Sequence, residues 1–531
     1  MKKFKAILAL VLVACLFVTL FAACAKNEET PNTNTNTNTN TNTNTNTGSE
    51  DKEPAGDETD APAVDFEEDP TEIIVVLYDM RSTGADYGDA VEAAANEITK
   101  ANINVVCDYV WIGPGDWQSK CNVALSGGER FDVMNLSPMT RASFLYPQGL
   151  LTPLDELMSY APEAYELTKE YIGAYTFDGK VYGFPTIRNY CKNAYILMRT
   201  DMLTEMGMVE QAEAIDSWSD YEAILKAVYE TYTVNGGMAP IGMSTPFADF
   251  NFCNGDSFAN SAALDTAGDP FQNVVMYVEQ DDATIKNIQA SEYYKFAVET
   301  SNRWWDAGYY WADTPITTEF VDDAMKQEMF FSQICGSETG VEITKEGAIG
   351  CDLTVVQINT GMIKTAQPSF TGICVPVTCE EPEAAMMFIN ELYTNPDLMM
   401  TLVWGVEGTD YTMENGEVNH VDKGYLSVDF LLGNNTLLKP LKGNGADFYE
   451  IVKATNEAAV KSRYLGFVFD TTDMDLTMSQ ITAAVDQYYK VIPYGGLEEL
   501  DNYIAALETA GINDLIAAAQ TQLDAWLAAN E

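Results

Sequence analysis

Short hydrophobic runs alternate with helical patterns in the first part of the chain. Apolar residues fill Ile73–Tyr78, and similar runs follow in "INVVCDYV" and "RFDVMNL". Helical patterns separate these runs, from about Asp89 to Lys100 and from Trp117 to Leu125. Strands that alternate with helices predict right-handed crossovers and a parallel sheet. We expect the strand order 2-1-3, which places the loops after the first and third strands beside one crevice.

Later patterns predict a second α/β unit. The segment "SWSDYEAILKAVYE" has apolar residues at helical spacing, and Ser219 with Glu222 forms a predicted capping box at its start. "MAPIGM" and "EMFFSQICGSETG" are predicted strands, and a helix begins near Pro382. The C-terminal stripes of Leu, Ile and Ala predict a helical hairpin that turns at Gly511.

The N-terminal pattern predicts export and a tether. Lys2, Lys3 and Lys5 precede an apolar run that ends in "LFAAC", which is the layout of a secretion signal. An uncleaved membrane anchor is the alternative. "LFAAC" resembles the lipobox of bacterial lipoproteins, which implies cleavage before Cys24 and lipidation of that cysteine. The Asn-Thr repeat and the acidic stretch that follow predict a flexible leash.

Composition excludes several kinds of function. The net charge is −51, with 29 basic and 80 acidic residues, and phosphate binding needs clustered Lys and Arg, so a nucleic-acid partner is not expected. Beyond Cys15 and Cys24, no cysteines form a C-x-x-C pair, and several lie in apolar runs where a thiol packs as a small hydrophobe. The single histidine, His420, lies in a turn-rich stretch. We therefore predict neither a metal nor a cofactor.

A family resemblance emerges from motifs in a fixed order. "GERFDVMNL", "DGKVYGFPT", "YILMRTDML" and "CVPVTCEEPEAAMMFINELYTNPDL" occur in the order found in extracellular solute-binding proteins of ABC sugar importers. "GVEGTDYTMENGEV", "LGFVFDTTDMD" and "YIAALETAGINDLIAAAQTQLDAW" resemble the LipO-like lipoproteins of Gram-positive bacteria. The resemblance covers nearly all of residues 72–531, the part of the chain that follows the predicted signal and leash. It implies a type II periplasmic-binding-protein-like α/β fold, with a ligand cleft between two lobes and a helical C-terminal hairpin.

The resemblance also implies a division of the chain. The first crossover is expected near Tyr190–Arg199 and a return near Gly372–Thr378. The segments are a signal peptide at 1–23, a lipid-anchored linker at 24–71, a first lobe at 72–195, a second lobe at 196–371, a return to the first lobe at 372–415, and a return to the second lobe with the LipO-like helical region at 416–531.

The function implied by the resemblance is transport rather than catalysis. A monomeric body would capture a small solute, in the wider family mostly an oligosaccharide, on the outer face of a Gram-positive cell membrane. A lipid anchor would hold it there, and a membrane permease with its ATPase would be its partners. Two alternatives remain open, a secreted glycoside hydrolase that uses two carboxylates and a surface adhesin.

Strand exits nominate the ligand-binding residues. A saccharide needs short polar side chains for its hydroxyls and aromatic faces for its C–H groups, supplied from both lobes. Tyr190, at the predicted crossover, would line the floor of the cleft. The other candidates are Tyr78, Asp79, Arg81, Asn135, Ser137 and Met139 from the first lobe, and Phe247, Asp249, Phe252, Ser337 and Glu338 from the second.

The tryptophans of "NRWWDAGYYW" suggest sugar contacts, but core packing is the favoured interpretation. Tyr294, Val298 and Trp305 share one helical face, and Gly308 ends the helix. We therefore expect this segment to be structural.

Overall fold

The computed structural model describes residues 64–242, 255–260, 264–268, 274–317, 321–337, 340–421 and 423–530. The predicted signal peptide, Cys24 and most of the predicted linker lie outside these residues, as do the candidates Phe247, Asp249, Phe252 and Glu338. Within the described part, no helix is both long and apolar enough to cross a membrane.

Strands in the described part fall into two length classes. Five of them have seven or eight residues, and the others have two to four. In chain order they are β1 (Thr71–Tyr78), β2 (Val105–Ile112), β3 (Val133–Leu136), β4 (Thr176–Phe177), β5 (Lys180–Val181), β6 (Phe184–Pro185), β7 (Asn193–Arg199), β8 (Ala239–Ile241), β9 (Leu264–Asp265), β10 (Met276–Glu279), β11 (Lys286–Asn287), β12 (Phe330–Ser337), β13 (Leu353–Asn359), β14 (Met362–Ile363), β15 (Gly372–Cys374), β16 (Tyr411–Glu414), β17 (Glu417–His420) and β18 (Val460–Lys461).

Helices follow most of the long strands and dominate the C-terminal part. They are α1 (Gly84–Ile103), α2 (Trp117–Gly127), α3 (Ala142–Leu145), α4 (Pro162–Thr168), α5 (Thr200–Met206), α6 (Val209–Glu213), α7 (Trp218–Thr231), α8 (Glu292–Asp306), α9 (Val321–Lys326), α10 (Val341–Ile349), α11 (Pro382–Thr394), α12 (Pro396–Trp404), α13 (Phe448–Ala458), α14 (Asp475–Tyr488), α15 (Leu500–Ala510) and α16 (Ile512–Asn530).

The first sheet has the order β2-β1-β3-β15-β6. β1 pairs in parallel with both neighbours, so that Val75 lies opposite Tyr109 on β2 and Val133 on β3. The predicted order 2-1-3 is therefore confirmed. Successive residues of β1 enter opposite cores, Val75 on one face and Val76 on the other, which explains its continuous apolar run. β15 and β6 extend the sheet in antiparallel fashion.

The second sheet has the order β13-β7-β12-β8. β7 pairs antiparallel with β12 and β13, and every one of its residues is buried. On one face, Ile196 packs in a core with Trp218 and Trp304. On the other face, Leu197 packs with Phe330. This sheet and its helices form the second lobe, and the five-stranded sheet with its helices forms the first.

Helix α7 begins earlier than the predicted capping box requires. The side chain of Ser217 caps it, accepting a hydrogen bond from the backbone N–H of Asp220 at 3.1 Å. The predicted pair of Ser219 and Glu222 lies inside the helix and is not its cap. The cause is Trp218, which is fully buried and contributes to the core, so the helix must already include it.

The C-terminal region forms a third core. Helices α15 and α16 make the predicted hairpin and turn at Gly511, whose φ is +97°. They pack with α14 and with the small sheet β11-β10-β9. Helix α8 joins this core to the second lobe, since Val298 packs in the former and Trp304 in the latter. Core packing is thus confirmed for Trp304, and Trp305 is half-buried and packs against the same core.

The chain crosses between the lobes three times. The first crossing segment, residues 186–192, joins β6 to β7, and the second, residues 364–371, joins β14 to β15. The third, residues 459–466, follows α13 and leads into the C-terminal region. β14 and β18 pair with each other beside these segments. The sequence predicted only the first two, and placed the first partly within β7, which belongs wholly to the second sheet.

The first lobe also extends further along the chain than predicted. Val418, Tyr425 and Tyr449 are buried in the same core as Ile73, whereas the prediction assigned every residue after 415 to the second lobe. This stretch consists of the short hairpin β16–β17, single helical turns and helix α13, which carries Tyr449. Before α13, no long periodic pattern marks its return to the first sheet.

Candidate ligand cleft

Asp79 leaves β1 and stabilises its own loop. Its carboxylate accepts hydrogen bonds from the backbone N–H groups of Thr83 at 3.2 Å and Gly84 at 2.7 Å. The side chain is buried and lies at the start of α1, where a negative charge is favourable. Arg81, two residues further on, is exposed.

Asn135 connects two parts of the first lobe. Its Oδ1 accepts a hydrogen bond from the Tyr78 N–H at 3.2 Å, and its Nδ2 donates to the Leu431 carbonyl at 2.8 Å. The segment around Leu431 therefore lies across the ends of β1 and β3. The structure brings the candidates Tyr78 and Asn135 together, with both side chains nearly fully buried.

The loop after β3 is held by its own hydroxyls. Ser137 is fully buried, lies 3.1 Å from the Oγ1 of Thr140 and accepts a hydrogen bond from the Met139 N–H at 3.2 Å. Met139 itself is half-buried. This loop leads directly into Arg141, which lines the gap described below.

Tyr190 and Ser337 lie on the hinge side of the second lobe. Tyr190 is fully buried in the first crossing segment, and its hydroxyl donates to the Thr186 carbonyl at 2.6 Å. Ser337 ends β12, opposite Asn193 at the start of β7. Tyr190 therefore lies within the hinge packing, with its hydroxyl already bonded.

A small gap lies where the first lobe, the second crossing segment and the C-terminal region meet. Its volume is about 40 Å³, enough for a few water molecules. The side chains around it combine aromatic rings, hydroxyls and one guanidinium. They include Arg141, Ser143, Phe144 and Tyr175 from the first lobe, Thr365 and Ser369 from the second crossing segment, and Phe467, Phe469 and Thr471 from the C-terminal region.

Sequence reasoning missed most of these side chains. Arg141 and Phe144 follow the nominated loop by only a few residues, so the strand-exit rule came close to them. Phe467 and Phe469 stand out in "LGFVFD", but their place in the fold depends on the third crossing segment. No sequence signal points to Thr365.

Thr365 ties two crossing segments together beside the gap. Its hydroxyl donates to the Tyr464 carbonyl at 3.1 Å and accepts from the Gly466 N–H at 2.8 Å. Gly466 has a φ of +101°, and a Cβ added at Gly173 of the first lobe would lie 2.8 Å from its Cα. The two backbones thus touch, and only glycine permits this approach.

Arg188 and Lys364 are cations of the first and second crossing segments. The guanidinium of Arg188 donates to the carbonyls of Asn189 at 3.0 Å and Gln367 at 2.7 Å, and it lies 5.1 Å from the ring centre of Phe370. Burial lowers the pKa of Arg188. Burial also lowers the pKa of Lys364, an effect that the Asp265 carboxylate opposes.

The gap suits the recognition of a neutral polar ligand with apolar faces. Aromatic rings and short hydroxyl side chains from both sides match the faces and edges of a saccharide. Burial raises the pKa of the Tyr175 hydroxyl, which therefore stays protonated and donates to the Pro368 carbonyl at 3.1 Å. Among the described residues, no three His, Cys, Asp or Glu side chains gather in a way that could hold a metal ion.

This architecture, with two α/β lobes joined by three crossing segments and a gap beside the second of them, defines a class of receptor. Residues 93–408 match the family model for bacterial extracellular solute-binding proteins, and the chain belongs to that family. Residues 463–528 match a domain of unknown function. The predicted resemblance and the two-lobe fold are therefore confirmed.

The individual proteins to which the chain is similar share only a low sequence identity with it. A carbohydrate ABC transporter substrate-binding protein of Streptococcus pneumoniae is 24% identical over 424 residues, which is 77% of this chain and 81% of the relative. The crystal structure of the N-glycan transport solute binding protein NgtS from S. pneumoniae is similar with a TM-score of 0.71 at 20% identity, covering 87% of this chain and 100% of that one. An extracellular solute-binding protein from Bifidobacterium longum subsp. infantis is similar with a TM-score of 0.61 at 15% identity, covering 86% and 98%.

Proposed function

We propose that this protein is the solute-binding component of an ABC importer, and that it captures a neutral oligosaccharide in the cleft between its lobes. Family membership supports the receptor role, and the carbohydrate-transport relative supports the solute class. The observation that carries the proposal is the gap beside the second crossing segment, where the first lobe, that segment and the C-terminal region contribute aromatic and hydroxyl side chains. The family is one of substrate-binding proteins, and we propose that the solute leaves chemically unchanged.

Binding requires the lobes to move apart. A gap of about 40 Å³ is far below the roughly 300–1,000 Å³ of ligand pockets. The crossing segments provide the hinge for this motion. A saccharide that contacts both lobes binds the closed arrangement more tightly than the open one, and that difference in affinity drives closure.

Stacking on aromatic rings and hydrogen bonds to hydroxyl groups together supply the binding free energy. A micromolar site requires about −8 kcal/mol, and each hydrogen bond contributes a net 0.5–1.5 kcal/mol, roughly. Several hydrogen bonds are therefore insufficient without apolar contacts. Phe144 from the first lobe and Phe469 from the C-terminal region are the proposed aromatic contacts, because two different parts of the fold bring them to the same gap.

The finer cellular assignment belongs to the proposal as well. Lipidated Cys24 would hold the receptor on the outer face of a Gram-positive cell membrane, and the Asn-Thr repeat would let it reach a membrane permease with its ATPase. Metabolic labelling with a palmitate analogue tests the anchor in cells that express the full chain. Cys24→Ser should abolish labelling and release the protein, whereas Cys15→Ser should leave both unchanged. Labelling that survives Cys24→Ser would contradict the assignment.

Calorimetric titration with neutral oligosaccharides tests the binding function. Phe144 is 37% exposed and Tyr165, on α4 away from the gap, is 39% exposed, which makes them a matched pair. Phe144→Ala should remove about 1–2 kcal/mol of apolar contact and raise the Kd about tenfold. Tyr165→Ala should leave the Kd unchanged. Equal effects would place the ligand elsewhere.

Product analysis separates transport from hydrolysis. Oligosaccharides incubated with the purified protein should be recovered intact by chromatography. Shortened glycans at catalytic rates would favour the hydrolase alternative. Binding without closure, seen as an unchanged radius of gyration in small-angle scattering, would favour the adhesin.

A further inference from the structure

A second and much larger hollow lies at the far end of the second lobe. Its volume is about 1110 Å³, and its wall includes Arg199 at the end of β7. β7 begins at Asn193, next to the first crossing segment. A strand of seven residues spans about 20 Å from its first to its last Cα. The distal hollow, as we name it, is therefore separate from the cleft.

Aromatic side chains form much of its wall. Trp311 and Trp305 are half-buried, although both belong to the segment for which the sequence favoured core packing. Tyr310 is nearly fully buried, and its hydroxyl lies 3.0 Å from the Ser301 hydroxyl. The aromatic residues of the wall are Tyr229, Tyr232, Trp305, Tyr310 and Trp311.

Hydrogen-bond acceptors lie beside these rings. The Arg199 guanidinium, whose side chain is only 9% exposed, binds both carboxylate oxygens of Asp201, at 3.1 and 2.7 Å. Glu328 lies 3.7 Å from the same guanidinium, and its side chain is 68% exposed. The hydrogen bond from Arg199 holds the pKa of Asp201 below its ordinary value. Two carboxylate side chains therefore face solvent around one buried cation.

The backbone at this site is unusual in one respect. Glu328 has a φ of +62°, a left-handed conformation that costs a non-glycine residue free energy and concentrates at ligand sites. It directs the chain from α9 into β12. The result is that an acidic side chain, rather than a glycine, occupies the rim of the distal hollow.

These features select among possible ligands. The acidic rim, with two carboxylates and one guanidinium, disfavours phosphates and uronic acids. An extended peptide would need the edge of a sheet, whereas the hollow lies at strand ends. Hydroxyl groups can donate to the carboxylates while C–H faces stack on the indoles. A neutral saccharide meets both requirements.

We propose that the distal hollow is a second carbohydrate-binding site, which takes a neutral oligosaccharide independently of the cleft. Trp311 and Trp305 provide the aromatic faces, and Asp201 and Glu328 accept hydrogen bonds from the sugar hydroxyls. The proposal depends on the proposed function only for the choice of glycans to test. A receptor with two sites can hold a glycan at its surface while another molecule occupies the cleft.

Fluorine NMR of protein labelled with 5-fluorotryptophan tests the second site directly. The Trp311 signal is assigned by its loss in Trp311→Phe. The labelled protein is titrated with maltohexaose, mannopentaose and chitotetraose as neutral glycans, and with a hyaluronan fragment as the acidic probe. At least one neutral glycan should shift the Trp311 signal saturably, and the acidic probe should not. No shift at millimolar concentrations of any neutral glycan would overturn the proposal.

Variants locate the binding energy. Trp311→Leu, read at the Trp305 signal, should raise the Kd of the distal hollow at least tenfold, whereas Ile316→Ala, at an exposed position further along the same segment, should not change it. If Trp311→Leu fails to fold, Glu328→Gln should raise the Kd several-fold without removing bulk. Unchanged affinity in the folded variant would refute the site.

The same titration keeps the two proposals apart. Phe144→Ala weakens binding at the cleft and should leave the Trp311 shift intact. If Phe144→Ala raises the Kd read from the Trp311 shift about tenfold, the shift reports lobe closure, and the distal site is refuted while the cleft stands. If the shift persists and the calorimetric cleft signal is absent, the distal site stands and the proposed function fails.

Discussion

Asn456 fastens the first crossing segment to helix α13. Its Oδ1 accepts hydrogen bonds from the N–H groups of Tyr190 at 2.9 Å and Cys191 at 3.3 Å, and its Nδ2 donates to the Arg188 carbonyl at 2.7 Å. The side chain is 7% exposed, so water does not readily replace these partners. Asn456→Ala removes all three bonds at once.

The expected cost follows from the number of bonds. At a net 0.5–1.5 kcal/mol each, the loss is about 1.5–4.5 kcal/mol of the free energy of unfolding. Buried backbone groups left without partners place the value toward the upper end. Urea denaturation followed by circular dichroism measures this loss. Hydrogen exchange should show faster exchange confined first to the first crossing segment, residues 186–192, because the amides of Tyr190 and Cys191 lose their acceptor.

Asn102 provides the control. Its exposed side chain makes a hydrogen bond to Glu391 at 2.9 Å on the surface of the first lobe. Asn102→Ala should change the free energy of unfolding by less than about 0.5 kcal/mol. The reasoning fails if Asn456→Ala costs no more than this control, or if exchange at residues 186–192 does not accelerate.

Three further predictions test the local physics. Ser217→Ala should cost about 1 kcal/mol of stability, measured by urea denaturation, because Ser217 caps α7. Ser219→Ala should cost clearly less. The reverse order would mean that Ser219 is the cap, as the sequence predicted. Burial raises the pKa of Glu222, but hydrogen bonds from Arg303 and Trp304 outweigh it and hold the pKa below its ordinary value. The ionised Glu222 therefore stabilises the folded protein above its unfolded-state pKa, and this contribution is lost as the pH falls through its folded-state pKa. Glu222→Gln should flatten the acid limb of a curve of stability against pH. An unchanged acid limb would contradict this reasoning. Burial raises the pKa of the Cys121 thiol to about 12. At pH 8 this thiol should therefore react with Ellman's reagent only after unfolding. Rapid labelling of Cys121 in the native state would disprove its burial.

The parts of the fold predicted from sequence are those with strong periodicity. The run Ile73–Tyr78 is buried on both faces, so its apolar pattern is continuous and its place in the sheet could be inferred. The C-terminal hairpin was equally visible, because Gly511 interrupts two clear helical stripes. The capping box of α7 was misplaced by two residues because Trp218 reads equally well as a loop or a helical residue.

The site was harder to predict than the sheets. The candidates at strand exits, such as Asp79 and Ser137, hold their own loops. The residues that line the gap come from segments that are distant in the sequence and meet through tertiary contacts, such as the one between Gly173 and Gly466. Such contact leaves no periodic trace in the sequence. The candidates outside the described residues, including Phe247 and Asp249, remain predictions.

The route of the chain through the lobes has a consequence for biogenesis. The first sheet needs β15 (Gly372–Cys374), and its core also needs Tyr449. During synthesis from the N terminus, this lobe cannot complete its interior until more than four-fifths of the 531 residues have been made. Its early strands must therefore wait with apolar surface uncovered, which makes the nascent protein a natural client for chaperones.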